Sequence, residues 1–307
     1  MSHPDYGLRM NRVLDYIDHN LDQTLDLDTL ADIANFSRFH FHRVFSGWAH
    51  ETFGDYLRRR RLEVGARLLL GDPAVPVLNV ALSVGFGSSE AFSRAFKTHF
   101  GLTPSTWRME GRKSRCTQNS NMDQLQSNPD QATPSPAIQN GSSHTSSQEF
   151  GLEIIVIDVP PMKVAYLRHI GPYGPSISAF WKDVVYPWMA VNALLGRERY
   201  GVVHDDPGIT PPDKCRYDAC IEVSTDFDTR RRFSTTTLPG GRYATVKFTD
   251  HPVRIAAAWN AILHDWLPAS GYQVDARPCF EFYAASFVQD LETKGFCSTV
   301  CVPVKPV

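Results

Sequence analysis

Phe41-His42-Arg43-Val44-Phe45 and Phe92-Ser93-Arg94-Ala95-Phe96 are one short unit written twice, 51 positions apart. Working outward, Ala31, Ala34 and Phe36 answer Ala81, Val84 and Phe86 at an offset of 50, while Thr52 and Tyr56 answer Thr103 and Trp107 at 51. The change of offset falls just past Phe36 and Phe86, where a tight turn should enter the next helix. Each copy predicts a short apolar helix, a turn at Asn35 or Gly85, and a second helix carrying an Arg, which is a helix-turn-helix present twice. Asn suits the left-handed turn before Ser37, whose hydroxyl can cap the second helix. Phe41, Phe45, Phe92 and Phe96 recur at helical spacing and are expected in the core.

The flanking sequence supplies a frame for the two motifs. Met10, Val13, Leu14, Ile17 and Leu21 have the spacing of an amphipathic scaffold helix. Residues 54–70 predict one longer helix ended by Gly71-Asp72-Pro73, a strut between the motifs, and Pro104 suits a first helical position. With Gly85-Phe86, Phe92-Ser93-Arg94-Ala95-Phe96-Lys97 and Gly101-Leu102-Thr103-Pro104, residues 8–110 resemble the AraC/XylS family of bacterial transcription regulators. The resemblance implies two recognition helices, held by a connecting helix, that enter successive major-groove segments of double-stranded DNA about 34 Å apart. It places DNA contacts at Ser37, Arg38, Phe39, His42 and Arg43 in the first motif and at Ser88, Ser89, Glu90, Ser93 and Arg94 in the second. Arg can grip guanine O6/N7 or a phosphate, and Glu can accept from a cytosine amino group. The competing reading has Arg43 and Arg94 in intradomain ion pairs. In the run Arg58 to Arg61, one or two side chains are expected against the DNA backbone and the others at the surface, because four consecutive residues span more than a turn.

At 307 residues the chain can bury two cores. The net charge of −2 separates into +2 over residues 1–115 and −4 over the rest, with the early carboxylates and late guanidinium groups of the N-terminal part sorted along the chain. There is no basic-then-apolar leader and no apolar run near 18 residues, so a soluble cytoplasmic protein without membrane contact is expected. Six cysteines without a CxxC pair read as mostly buried thiols, with Cys116 the most exposed. From Cys116 to Glu149 the composition turns to Ser, Gln, Asn, Thr and Pro, which predicts a flexible tether. The domain plan is 1–112 for DNA binding, 113–149 as linker, and 150–307 as a second folded unit.

That second unit is itself duplicated. Pro160 and Ala165 answer Pro239 and Ala244 at 79, and Trp181 and Trp188 answer Trp259 and Trp266 at 78. Each half predicts a strand, a Pro-rich turn, a strand, a helix bearing the two Trp, and two further strands, with a groove where the halves meet. The expected fold class is multidomain: an all-α tandem helix-turn-helix domain and a pseudo-duplicated α+β domain. Pro278-x-Phe280-Glu281-x-Tyr283, Tyr217-Asp218-Ala219 and Val300-Cys301-Val302-Pro303-Val304 resemble the GyrI-like effector-binding domain. The resemblance implies a groove for an apolar, often cationic, small-molecule effector.

The candidate ligand residues are Glu281, Tyr166, Trp181, Phe248, Trp259 and Tyr283. Superposing the halves at 79 sets Glu281 opposite Val202, and a carboxylate amid aromatics attracts cations or acquires a raised pKa. The bland alternative pairs Glu281 with Arg277 or leaves it in solvent on an edge strand. Two further functional readings stay open: a tethered hydrolase in which Glu281 activates water, and a groove that docks a polypeptide. RNA polymerase is a further candidate partner. No Ser/His/Asp set, phosphate-cradling loop or metal-ligand spacing of His is evident, so neither cofactor nor metal is expected.

Overall fold

The computed structural model describes residues 4–71, 74–114, 152–227, 234–250, 254–275, 277–285 and 296–307, and divides into two compact units. The expected linker 113–149 lies almost wholly outside the described residues, as does Cys116.

The first unit is helical. α1 (Pro4–His19) precedes α2 (Leu27–Ala34) and α3 (Arg38–Ala49); α4 (Phe53–Gly71) leads to α5 (Val77–Ser83), α6 (Ser89–Phe100) and α7 (Pro104–Ser114). Met10, Val13, Leu14 and Ile17 of α1 are buried with Leu30, Ala31, Phe41 and Phe45. The two motif turns solve one problem with different residues. Asn35 sits at φ 51° and Gly85 at φ 81°. A Cβ at Gly85 would overlap the Leu21 carbonyl and the Arg61 guanidinium, so the second turn excludes even Asn. Ser37 and Ser88 then cap α3 and α6, accepting from the backbone N–H of His40 and Ala91.

The Arg58–Arg61 run departs from the solvated reading. Arg59 bonds Glu51 at 2.7 Å and Glu63 at 2.9 Å; Arg60, buried in α4, bonds Asp18 at 3.3 Å and Glu63 at 2.9 Å. Arg61 donates to the carbonyls of Leu21 and Gln23. Only Arg58 is exposed. Glu51 and Glu63 lie close to Arg59 in sequence, Asp18 joins them only when α1 packs on α4, and two guanidinium groups, those of Arg59 and Arg60, satisfy the three carboxylates.

The second unit is a nine-stranded antiparallel sheet. Its strands are β1 (Ile154–Val159), β2 (Met162–Ile170), β3 (Arg199–Val203), β4 (Arg216–Glu222), β5 (Ser234–Leu238), β6 (Gly241–Asp250), β7 (Tyr272–Val274), β8 (Cys279–Tyr283) and β9 (Phe296–Pro306). The order is β1-β6-β9-β8-β3-β4-β2-β5, with β7 on β9. The halves are related by pseudo-two-fold symmetry and join through β3 and β8. Each half lends its first strand to the other: β1 pairs with β6, and β5 with β2. Pro160-Pro161 cannot close a tight hairpin, because two-residue hairpin turns need positive φ and proline fixes it near −65°.

Register sorts the side chains onto two faces. Val246, Phe248, Val300 and Val302 pack against Ala258, Trp259 and Ile262 on the helix side. Tyr166, Tyr200, Val202, Tyr243 and Phe280 form a separate aromatic cluster on the other side. The helix of the first half runs from α8 (Pro175–Phe180) through a π-helical turn (Trp181–Val185) into α9 (Tyr186–Val191). In the second half α10 (Ala256–Asn260) continues into a π-helical turn (Ala261–Trp266). No helix among the described residues is long and apolar enough to cross a membrane. Cys215, Cys220 and Cys301 are buried free thiols and Cys297 is exposed; Cys116, expected to be the most exposed, lies outside the described residues.

Candidate nucleic-acid interface and ligand site

The two recognition helices present their repeat-equivalent positions to solvent in different chemistry. On α3 and its cap, Ser37, Arg38, Phe39, His42 and Arg43 are all exposed, Phe39 to 85%. Arg38 reaches Asp28 at 3.2 Å in a solvent-exposed pair, which holds it only weakly. Arg43 makes no ion pair among the described residues, so the intradomain reading of this guanidinium has no partner here. On α6, Glu90 and Arg94 are exposed, and Ser88, Ser89 and Ser93 are half-buried. Glu90 is held below the usual carboxylate range by its own backbone N–H and by the Ser88 and Ser89 hydroxyls, so it is ionised and already serves the helix N-terminus. Phe41, Phe45, Phe92 and Phe96 are fully buried beneath these surfaces.

In the sheet unit, Glu281 lies on central β8, on the helix side, in register with Gly201 of β3. Both bland readings of Glu281 fail on geometry. Arg277 is engaged by Asp275, and β8 is flanked by β9 and β3 rather than at an edge. Val202, the position set against Glu281 when the halves are superposed at 79, lies on the opposite face of the sheet, and the residue in register with Glu281 on β3 is Gly201.

Neutral donors surround the carboxylate. Tyr283 Oη donates to Glu281 Oε2 at 2.6 Å, and Trp259 Nε1 donates to Oε1 at 3.2 Å. Burial raises the Glu281 pKa, and the two hydrogen bonds only partly offset it. From the other helix, Trp181 lies edge-on to Tyr283 at 6.3 Å and donates its Nε1 to Tyr217 Oη at 2.9 Å. A Cβ on Gly201 would overlap the Tyr217 hydroxyl, so the missing side chain makes room for that oxygen. The equivalent tryptophans thus both donate inward, one to a carboxylate and the other to a phenol.

A second carboxylate, that of buried Asp218, provides the contrast. Asp218 accepts two bonds from Arg168, both 2.7 Å, and one from His204 at 2.7 Å. Burial alone would raise its pKa, but Arg168 and His204 hold it far below the usual carboxylate range. Asp218 already has its cation. Among the described residues Glu281 has none within ion-pair distance.

Of the six expected ligand residues, Glu281, Trp181, Trp259 and Tyr283 come together. Tyr166 does not: it sits on the opposite face, 1% exposed, and its even-numbered register in β2 excludes it from the Glu281 side. Phe248 is on the correct face but 3% exposed, a core residue of the cluster that holds Trp259. Tyr217 and Gly201 were missed. Tyr217 stood within a quoted motif, yet only strand pairing brings its hydroxyl over Gly201.

Comparison with known proteins covers both units. Residues 30–110 match a helix-turn-helix domain family, and residues 152–305, half of the chain, match the GyrI-like small molecule binding domain. Regulatory protein SoxS of Escherichia coli is 37% identical over 30% of this chain and 86% of its own length. The probable transcription factor PqrA of Proteus vulgaris is 34% identical over 33% of this chain and 84% of its own. Among solved structures, the EcmrR C-terminal domain aligns with 51% of this chain and 99% of its own at 15% identity, with a TM-score of 0.42.

Proposed function

We infer that this chain, which belongs to the AraC-type transcription regulators and carries a GyrI-like small molecule binding domain, is a one-component regulator whose effector is an aromatic or apolar cation held at Glu281. The observation that carries the reading is the contrast between buried Asp218 and half-buried Glu281. Asp218 is neutralised from within, whereas Glu281 is ringed by Trp259, Tyr283, Tyr217 and Trp181 and has no countercharge among the described residues. A carboxylate with aromatic walls favours a weakly hydrated organic cation over a small inorganic one, because stacking and cation–π attraction add to the charge.

The DNA-reading half of the proposal assigns base or phosphate contact to Arg43, Phe39 and His42 on α3 and to Arg94, Ser93 and Glu90 on α6, with residues 113–149 as the tether between domains. The regulator acts in the cytoplasm on double-stranded DNA, either recruiting RNA polymerase or excluding it. Binding of phenethyltrimethylammonium to wild type, measured by calorimetry and lost in Glu281→Gln with operator affinity unchanged, supports the reading. Failure of wild type to bind this cation overturns the effector half. If a reactive ester or epoxide is recovered one water heavier only with wild type, the site is hydrolytic, with Glu281 as the general base. For the DNA half, Arg43→Ala is expected to weaken specific binding by about 1–3 kcal/mol; equal binding of the operator by the variant removes that residue from the interface.

A further inference from the structure

The Glu281 site has a second pole. We propose that Tyr217 is a hydrogen-bond donor to the effector, so that the preferred ligand is a cation carrying a hydrogen-bond acceptor, such as a carbonyl oxygen, near its charged nitrogen. The proposal rests on Glu281 binding a cation and specifies what else that cation must carry.

Three observations converge on Tyr217. First, its hydroxyl lies directly over Gly201, the residue in register with Glu281 on the neighbouring strand. Adjacent strands are about 4.8 Å apart, so the phenol and the carboxylate flank the same spot at the joint of the halves. Second, the direction of its hydrogen bond is fixed. Trp181 Nε1 can only donate, so Tyr217 Oη is the acceptor of that 2.9 Å bond and keeps its own proton to give. Third, that proton has no acceptor among the described residues, although Tyr217 is 3% exposed. Glu281, the nearest anionic candidate, takes its bonds from Tyr283 and Trp259. An unmatched donor in a buried setting is costly, and a ligand acceptor relieves the cost. Burial and the neighbouring Glu281 charge push the Tyr217 pKa well above the usual tyrosine value, which keeps the phenol protonated and a donor throughout the neutral range.

The arrangement follows from the broken symmetry of the duplication. At the joint, β8 contributes a carboxylate and β3 a glycine, and the vacated volume is taken by a phenol from β4. Trp181 orients the phenol as Trp259 orients the carboxylate. A symmetric site would offer two acceptors or two donors; this one offers an acceptor for positive charge and a donor for a lone pair.

A matched pair of cations tests this with the full-length protein. Phenacyltrimethylammonium and phenethyltrimethylammonium share a skeleton and a charge, and differ by a carbonyl in place of a methylene. Wild type is expected to bind the phenacyl compound about tenfold more tightly, the effect of one buried neutral hydrogen bond. Tyr217→Phe should remove that preference while retaining the phenethyl compound, whereas Glu281→Gln should weaken both alike. If wild type binds both equally and Glu281→Gln weakens both, the donor role is overturned and the cation reading stands. If wild type binds neither, both fall together. The wild-type comparison decides the matter even if Tyr217→Phe does not fold.

Discussion

Glu281 and Asp218 show how strongly a carboxylate depends on what the fold places beside it. Asp218 is surrounded by Arg168 and His204, and Glu281 by neutral donors, so the same functional group is shifted in opposite directions. For Glu281 the folded-state pKa lies above the ordinary glutamate value of 4.5, so the folded protein holds that proton more tightly than the unfolded chain. Stability contributed by the site is therefore greatest at low pH and declines as pH rises from 4.5 through the folded-state value. Glu281→Gln removes this dependence: urea unfolding should show the variant gaining on wild type across that window and holding its advantage above it. A bound cation reverses the balance. Affinity for phenethyltrimethylammonium should strengthen as pH rises through the folded-state pKa and then level off, with proton release on binding below the plateau. A pH-independent affinity in wild type would remove ionised Glu281 from the contact.

At the level of elements, the connecting helix α4 is held by charge as much as by apolar packing. Arg60 and Glu63 are buried together, and removing one partner of such a pair leaves the other uncompensated. Arg60→Ala should cost about 3 kcal/mol of stability in chemical denaturation, whereas exposed Arg58→Ala should stay within about 0.5 kcal/mol. The turns make a parallel pair. Gly85→Ala should cost about 1–2 kcal/mol from its left-handed backbone alone, and more because the added methyl meets the Leu21 carbonyl. Asn35→Gly should change stability by less than about 1 kcal/mol. Loss of the Ser37 or Ser88 cap should cost about 1 kcal/mol each. Together these values say which parts of the repeat are interchangeable and which are fixed by the neighbouring helix.

For the whole molecule, two units with separate cores predict two calorimetric transitions. Phenethyltrimethylammonium at 100 times its Kd should stabilise the sheet unit by about 2.7 kcal/mol and leave the helical unit's transition where it was. A single transition that shifts as a whole would instead mean that the units unfold as one. The exchange of β1 and β5 between the halves makes the sheet unit one cooperative body, since neither half can form its own outer pair alone.

Repetition is what made the fold readable. Two copies of an apolar pattern at 50 or 51 residues fix the helices, the turns at Asn35 and Gly85 and the cap at Ser37, because those features depend on residues a few positions apart. The same locality made Glu281 conspicuous, as a carboxylate in an alternating aromatic strand. What the sequence could not supply were the pairings between distant segments. The meeting of Arg60 with Asp18 and of Arg61 with the Leu21 carbonyl, the exchange of first strands, the placing of Tyr166 on the far face and the meeting of Tyr217 with Gly201 all depend on register between strands or helices far apart in the chain. A shift of one residue moves a side chain to the other face of a sheet, and only the assembled tertiary structure sets that register.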